Sequence, residues 1–115
     1  MIKKSTITAL VPLVETALYT VPSGKGSELV MLWLSNPHTS NKDLTLKAYN
    51  SSTDSSVTIL EDYPVNSKDF VQIGGTENSY IVMAEGDKIL ATGASNSAFT
   101  IVCSFKEHNN IIQGG

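Results

Sequence analysis

The chain has 115 residues, 41% hydrophobic and 17% charged, with a formal net charge of −3, which suits one domain that buries its own core without disulfides or metals. All eight basic residues are lysines, scattered except for Lys3-Lys4. Without arginine forks or a basic stripe to follow a phosphate backbone, this composition argues against nucleic-acid binding. Polarity comes mostly from Ser, Thr and Asn, residues that suit pleated surfaces and turns.

Met1-Ile2-Lys3-Lys4-Ser5 opens the chain, and Thr6, Thr8, Pro12 and Glu15 keep the next ten residues from forming a long apolar run. Neither a signal peptide nor a membrane span is therefore expected, and folding in the cytoplasm is. Ile7, Ala9, Val11 and Leu13 alternate with Thr6, Thr8 and Leu10. Pro12 restricts residues 1–16 to an edge strand or an extended arm. A strand over residues 17–21 closes on the turn Pro22-Ser23-Gly24-Lys25-Gly26. Residues 28–35 are apolar on both faces, which predicts a covered strand with Trp33 in the core. A turn-rich loop follows, and residues 43–50 alternate again, with Leu44, Leu46 and Ala48 on one side. Val57-Thr58-Ile59-Leu60 reads as a short strand that Tyr63-Pro64-Val65 breaks. Phe70-Val71-Gln72-Ile73 runs into Gly74-Gly75, Tyr80-Ile81-Val82-Met83 into the turn Ala84-Glu85-Gly86-Asp87. Two more strands follow, over residues 88–92 and 98–105. The polar tail, residues 107–115, is expected to fray despite Ile111-Ile112. Eight or nine short antiparallel strands without a helical period predict an all-β domain over residues 17–106, a β-sandwich of jelly-roll or immunoglobulin-like type.

Signals for chemistry are weak. His38 and His108 have no Cys or second His at ligand spacing, so no metal is expected. Glu61-Asp62 reads as a solvated strand end, and Asp87 as a side chain that holds its own turn. The pattern Asn50-Ser51-Ser52 reads as a turn. Gly24, Gly26, Gly74 and Gly75 open no helix that could cradle a phosphate. Cys103, alternating with Phe99, Ile101 and Phe105, reads as a small buried hydrophobe. The expectation is a protein without catalytic residues or cofactors. Its candidate functional groups lie on the surface: Ile7, Leu10, Val11 and Leu13 in the arm, with Tyr49 and Tyr63, the aromatic and apolar types that protein interfaces favour. An extended arm of this kind is suited to adding a strand to a neighbour's sheet.

The stretch Leu18-Tyr19-Thr20-Val21-Pro22-Ser23-Gly24-Lys25 leads into an apolar strand, residues 29–34, that ends at Ser35-Asn36. Together with the later turn Ala84-Glu85-Gly86-Asp87-Lys88-Ile89, it resembles a group of small tailed-bacteriophage virion proteins. The resemblance covers about residues 17–105 and rests on structural turns. It implies a sandwich domain in the virion, acting as a capsid decoration (cement) protein on the major capsid protein, as a homo-oligomer or in many copies. No membrane or nucleic-acid partner is implied. A head–tail connector, tail or fibre component is the alternative within the virion. A carbohydrate- or receptor-binding sandwich, with Trp33 and the tyrosines stacking on sugar rings, is the alternative from another class.

Overall fold

The period-two segments become strands. The computed structural model describes residues 2–75 and 81–109, which form β1 (Ile2–Ala9), β2 (Thr16–Thr20), β3 (Lys25–Asn36), β4 (Lys42–Asn50), β5 (Ser55–Val65), β6 (Asp69–Gly74), β7 (Ile81–Met83), β8 (Lys88–Gly93) and β9 (Thr100–Asn109). Two antiparallel sheets result. One has the order β1-β9-β3-β6, with β7 also on β3; the other has the order β2-β8-β4-β5. β6 pairs with residues 31–36 of β3 and β7 with residues 27–29, so the two share one edge position. Counted that way, the order is that of a jelly roll, a double-sheet sandwich built from two Greek keys.

Inward side chains fill the space between the sheets. Leu29, Leu32, Leu34, Ile101, Cys103 and Phe105 come from one side, and Leu18, Leu44, Leu46, Ile89 and Ala91 from the other. The alternation that identifies the strands thus also fixes which residues leave water. Val30 is the extra residue of a bulge in β3, between the Leu29 and Met31 pairings with β9. Its carbonyl accepts the Gly75 N–H at 2.8 Å. This is where the sheet edge passes from β6 to β7. Gly74 adopts φ +77° there, and a Cβ on it would lie 2.6 Å from the Val30 oxygen.

One open alternative is decided and two boundaries differ from the sequence-based expectation. β1 begins at Ile2 and pairs with β9 of the same chain along its whole length, so the segment is an edge strand of this domain. β5 continues through Tyr63 and Pro64 to Val65, because an edge strand tolerates a residue without an N–H. β9 runs on to Asn109 and buries Glu107, so the tail expected from residue 107 starts no earlier than residue 110. Tyr80 and Ile111-Ile112 lie outside the described residues.

Candidate interaction surface

The solvent face of the five-stranded sheet carries a band of apolar side chains where a sandwich sheet is usually polar. Its register sets Ile7 of β1 opposite Val102 of β9, Val102 opposite Trp33 of β3, and Trp33 opposite Gln72 of β6. One pair further, Phe70 faces Ser35 and tilts its ring against Trp33, with centroids 5.4 Å apart. In the other direction Met31 faces Ser104, whose hydroxyl is 3.2 Å from that of Ser5. Ile7 is 77% exposed and Phe70 53%, while Met31, Trp33 and Val102 are half-buried. The opposite solvent face, on the four-stranded sheet, carries Thr45 opposite Thr92, Lys47 opposite Leu90 and Tyr49 opposite Lys88. A one-face-polar sheet is the ordinary arrangement, so the difference between the two faces marks the first one.

Trp33 lies on this outward face because Leu32 and Leu34 take the inward positions beside it, which corrects the expectation of a core tryptophan. Leu10 is corrected in the opposite sense. It is 5% exposed and follows Thr6 and Thr8 on the inward side, with its N–H bonded to the Phe99 carbonyl at 2.9 Å. A residue that closes the core is not available as an anchor. Val11 and Leu13 are exposed on the crossover from β1 to β2, pinned where the Leu13 N–H bonds the Gly93 carbonyl. Leu13 there lines a depression of about 280 Å³ with Asp43, Asp62 and Ser95. Tyr49 is turned to its own neighbours: its hydroxyl donates to Asp54 at 2.6 Å, and the Lys88 ammonium stands 5.4 Å from its ring centroid. Tyr63 is exposed on β5, opposite Leu44. Of the six candidates, then, only Ile7 joins the apolar band. Phe70, Val102 and Met31 are not among the residues the sequence singles out; the signal that points to them is the doubly apolar run of β3.

One end of the band is charged. Lys3 faces Lys106 directly, and Glu28 lies across from Lys106 on the other side. A depression of about 370 Å³ between them is lined by Lys3, Ser5, Val30, Ser104 and Lys106. Beneath this end, on the inward side, Glu107 is 1% exposed. It accepts the Tyr19 hydroxyl at 2.5 Å and pairs with the Lys4 ammonium at 3.1 Å. The Tyr19 hydrogen bond outweighs burial and, with Lys4, holds the Glu107 carboxyl below the usual carboxylate range. Burial first, then the hydrogen bond to Glu107, push the Tyr19 hydroxyl up to about 12. The Tyr19 ring also stacks on Phe105, 3.7 Å between centroids. With Glu107 buried between Tyr19 and Lys4, this group closes one end of the core.

At the other end of β2, the two turns of the resemblance meet. The Val21 N–H bonds the Asp87 carbonyl at 2.9 Å, and the Gly86 N–H bonds the Val21 carbonyl at 3.0 Å. Burial raises the Asp87 carboxyl, but the donors Ser51 N–H, Ala84 N–H and Ser51 Oγ reverse this, and the net direction is down. Cys103 is fully buried and its thiol is pushed up to about 11 by burial, which leaves it no thiolate character at neutral pH. Among the described residues, no three His, Cys, Asp or Glu side chains gather as metal ligands. No family model, no curated protein and no solved structure matches this chain.

Proposed function

We propose that this chain is a virion structural protein without catalytic activity, a capsid decoration protein that docks on the major capsid shell through the outer face of its five-stranded sheet. The observation that carries the docking role is the band of Ile7, Val102, Trp33 and Phe70 on a solvent-facing sheet surface. A contiguous apolar patch with a polar rim is the usual mark of a protein contact. Side chains held on a sheet also lose little freedom when covered. The virion setting is supported by the resemblance, whose separate turns form one hydrogen-bonded contact. The fold itself does not select a role, because jelly rolls serve capsid and lectin domains alike. Many copies on one shell add avidity, so each contact can be weak.

Copy number tests the setting. Hundreds of copies per purified particle of the encoding phage, counted against the major capsid protein, are expected. A few dozen or fewer move the protein to the neck, tail or fibre, and none at all refutes the virion reading. The face is tested with Ile7→Asp and Phe70→Asp, both at exposed positions. They are expected to fold normally and to weaken shell binding by about tenfold or more, as loss of a hot-spot contact does. Undiminished binding removes this face from the proposal.

One observation favours a second reading. Trp33 and Phe70 border a depression of about 290 Å³ whose rim carries Ser35, Lys68 and Asp69. An aromatic floor with polar neighbours suits a sugar ring. Glycan-array binding abolished by Trp33→Ala would support this reading; an array without signal would exclude it.

A further inference from the structure

The sheet edges are unequally guarded. β1 carries Lys3 and Lys4, while β2 is five residues long with a register shift between Ala17 and Tyr19. β6 opens at Asp69 and ends at Gly74. These are the usual devices that keep an edge from pairing with another chain. The second half of β5 has them too: Glu61, Asp62 at φ +45°, a register shift between the Leu44 and Leu46 pairings, and Pro64; a further shift leaves Ile59, just before it, as a bulge residue. Its first half, Ser55-Ser56-Val57-Thr58-Ile59-Leu60, has no charge, no Pro and no Gly. Every residue of it is exposed except the half-buried Leu60, and Val57 is 66% exposed.

We infer that this half of β5 is a self-association edge, where two copies of the chain pair antiparallel about a two-fold axis at Val57. The straight part of the strand fixes the place: residues 55–58 pair with residues 47–50 of β4 without a shift. Charge excludes the next register along. With the axis at Val57, Val57 meets its mate, Ser56 meets Thr58, Ser55 meets Ile59, Asp54 meets Leu60 and Glu61 meets Thr53. No like charges face each other. Moving the axis to Thr58 sets Asp54 against Asp62, an unfavourable cross-strand pair. The seam is therefore self-complementary, as a two-fold interface must be. A strand seam alone buries less than the roughly 800 Å² per partner of a standard interface, so the association is weak and concentration-dependent.

The axis of such a pair runs perpendicular to the joined sheet, so both five-stranded sheets lie on the same side of it. Taken with the proposed docking role, the dimer presents two apolar faces in one direction. This consequence rests on that role; the seam does not.

Sedimentation velocity over a concentration series of the purified chain, up to about millimolar for so small an interface, tests the seam. Wild type is expected to move from monomer towards dimer. Val57→Lys and Val57→Glu, each folded by circular dichroism because the site is exposed, are each expected to stay monomeric. Their equimolar mixture is expected to dimerise, since Lys then faces Glu across the axis. Three results overturn the seam: wild type monomeric throughout, Val57→Lys associating like wild type, or a mixture that stays monomeric. Ile7→Asp is expected to leave the dimer intact, so that loss of shell binding and loss of the seam are read separately. If Ile7→Asp dissolves the dimer, self-association runs through the other face and the inference is wrong.

Discussion

Glu107 occupies an inward position of β9, where an unpaired carboxylate is strongly unfavourable. It is tolerated because Tyr19 donates to one oxygen and Lys4 pairs with the other. Tyr19→Phe leaves the carboxylate with Lys4 alone and is expected to cost about 1–3 kcal/mol, the range for a hydrogen bond to a charged group. The pH dependence has two arms. The Tyr19 hydroxyl, at about 12, stands above its ordinary value of 10.0. Its contribution is intact below about pH 10 and is lost as pH rises towards 12. Glu107 lies below its ordinary 4.5, so its contribution is present above that value and fades as pH falls through the lowered one. Urea midpoints followed by Trp33 fluorescence at several pH values check both. Tyr19→Phe is expected to lose stability less steeply than wild type in the alkaline arm. Parallel curves for the two proteins show that Tyr19 is not the group responsible.

At the scale of the strand and its turn, two glycines separate backbone conformation from space. Gly24 and Gly74 share nearly the same φ, +76° and +77°. Nothing lies within 4 Å of a Cβ on Gly24, whereas one on Gly74 lies 2.6 Å from the Val30 oxygen. Gly24→Ala is expected to cost about 1–2 kcal/mol, the left-handed penalty alone. Gly74→Ala adds a backbone clash at the β6–β7 junction and is expected to cost more, about 3 kcal/mol or above. Equal denaturation midpoints for the two variants refute the crowding at Val30. Such turns, with the period-two runs and the doubly apolar run between them, make eight or nine strands legible in the sequence, and the described residues form nine. What stays hidden has physical causes. The alternation in β1 is real, but Ile7 points outward and Thr6, Thr8 and Leu10 inward, against the polarity of the two sets. Thr6 there lies beside Cys103 and Thr8 beside Ile101. Glu107 reads as a tail residue because its partners, Tyr19 and Lys4, are distant in sequence. Pro64 reads as a break because nothing local shows that β5 is an edge. In β3 both faces are apolar, so polarity cannot say which one meets solvent, and the band around Trp33 is the part of the candidate site that the sequence conceals.

For the molecule as a whole, the position of residues 1–15 changes what their removal reports. An appended arm could be deleted with loss of binding alone. Here the segment supplies β1 as a sheet edge, places Leu10 in the core, lays Thr6 beside Cys103 and brings Lys4 to Glu107. Deleting residues 1–15 is therefore expected to cost several kcal/mol, since loss of one core leucine side chain already costs about 2–5 kcal/mol. It also bares the β9 edge. Cys103 gives an independent readout: in the full chain the thiol is buried, with its pKa pushed up to about 11, and is expected to resist a thiol reagent at neutral pH. In the truncated chain it is expected to react. Ile7→Asp, which removes one outward side chain from the same strand, is expected to keep both the wild-type midpoint and the silent thiol. A truncated chain that retains both shows instead that β1 is dispensable to the domain, and a binding loss on deletion then belongs to an anchor. If stability and thiol protection fall together, the deletion measures folding, and only the exposed-face substitutions measure docking.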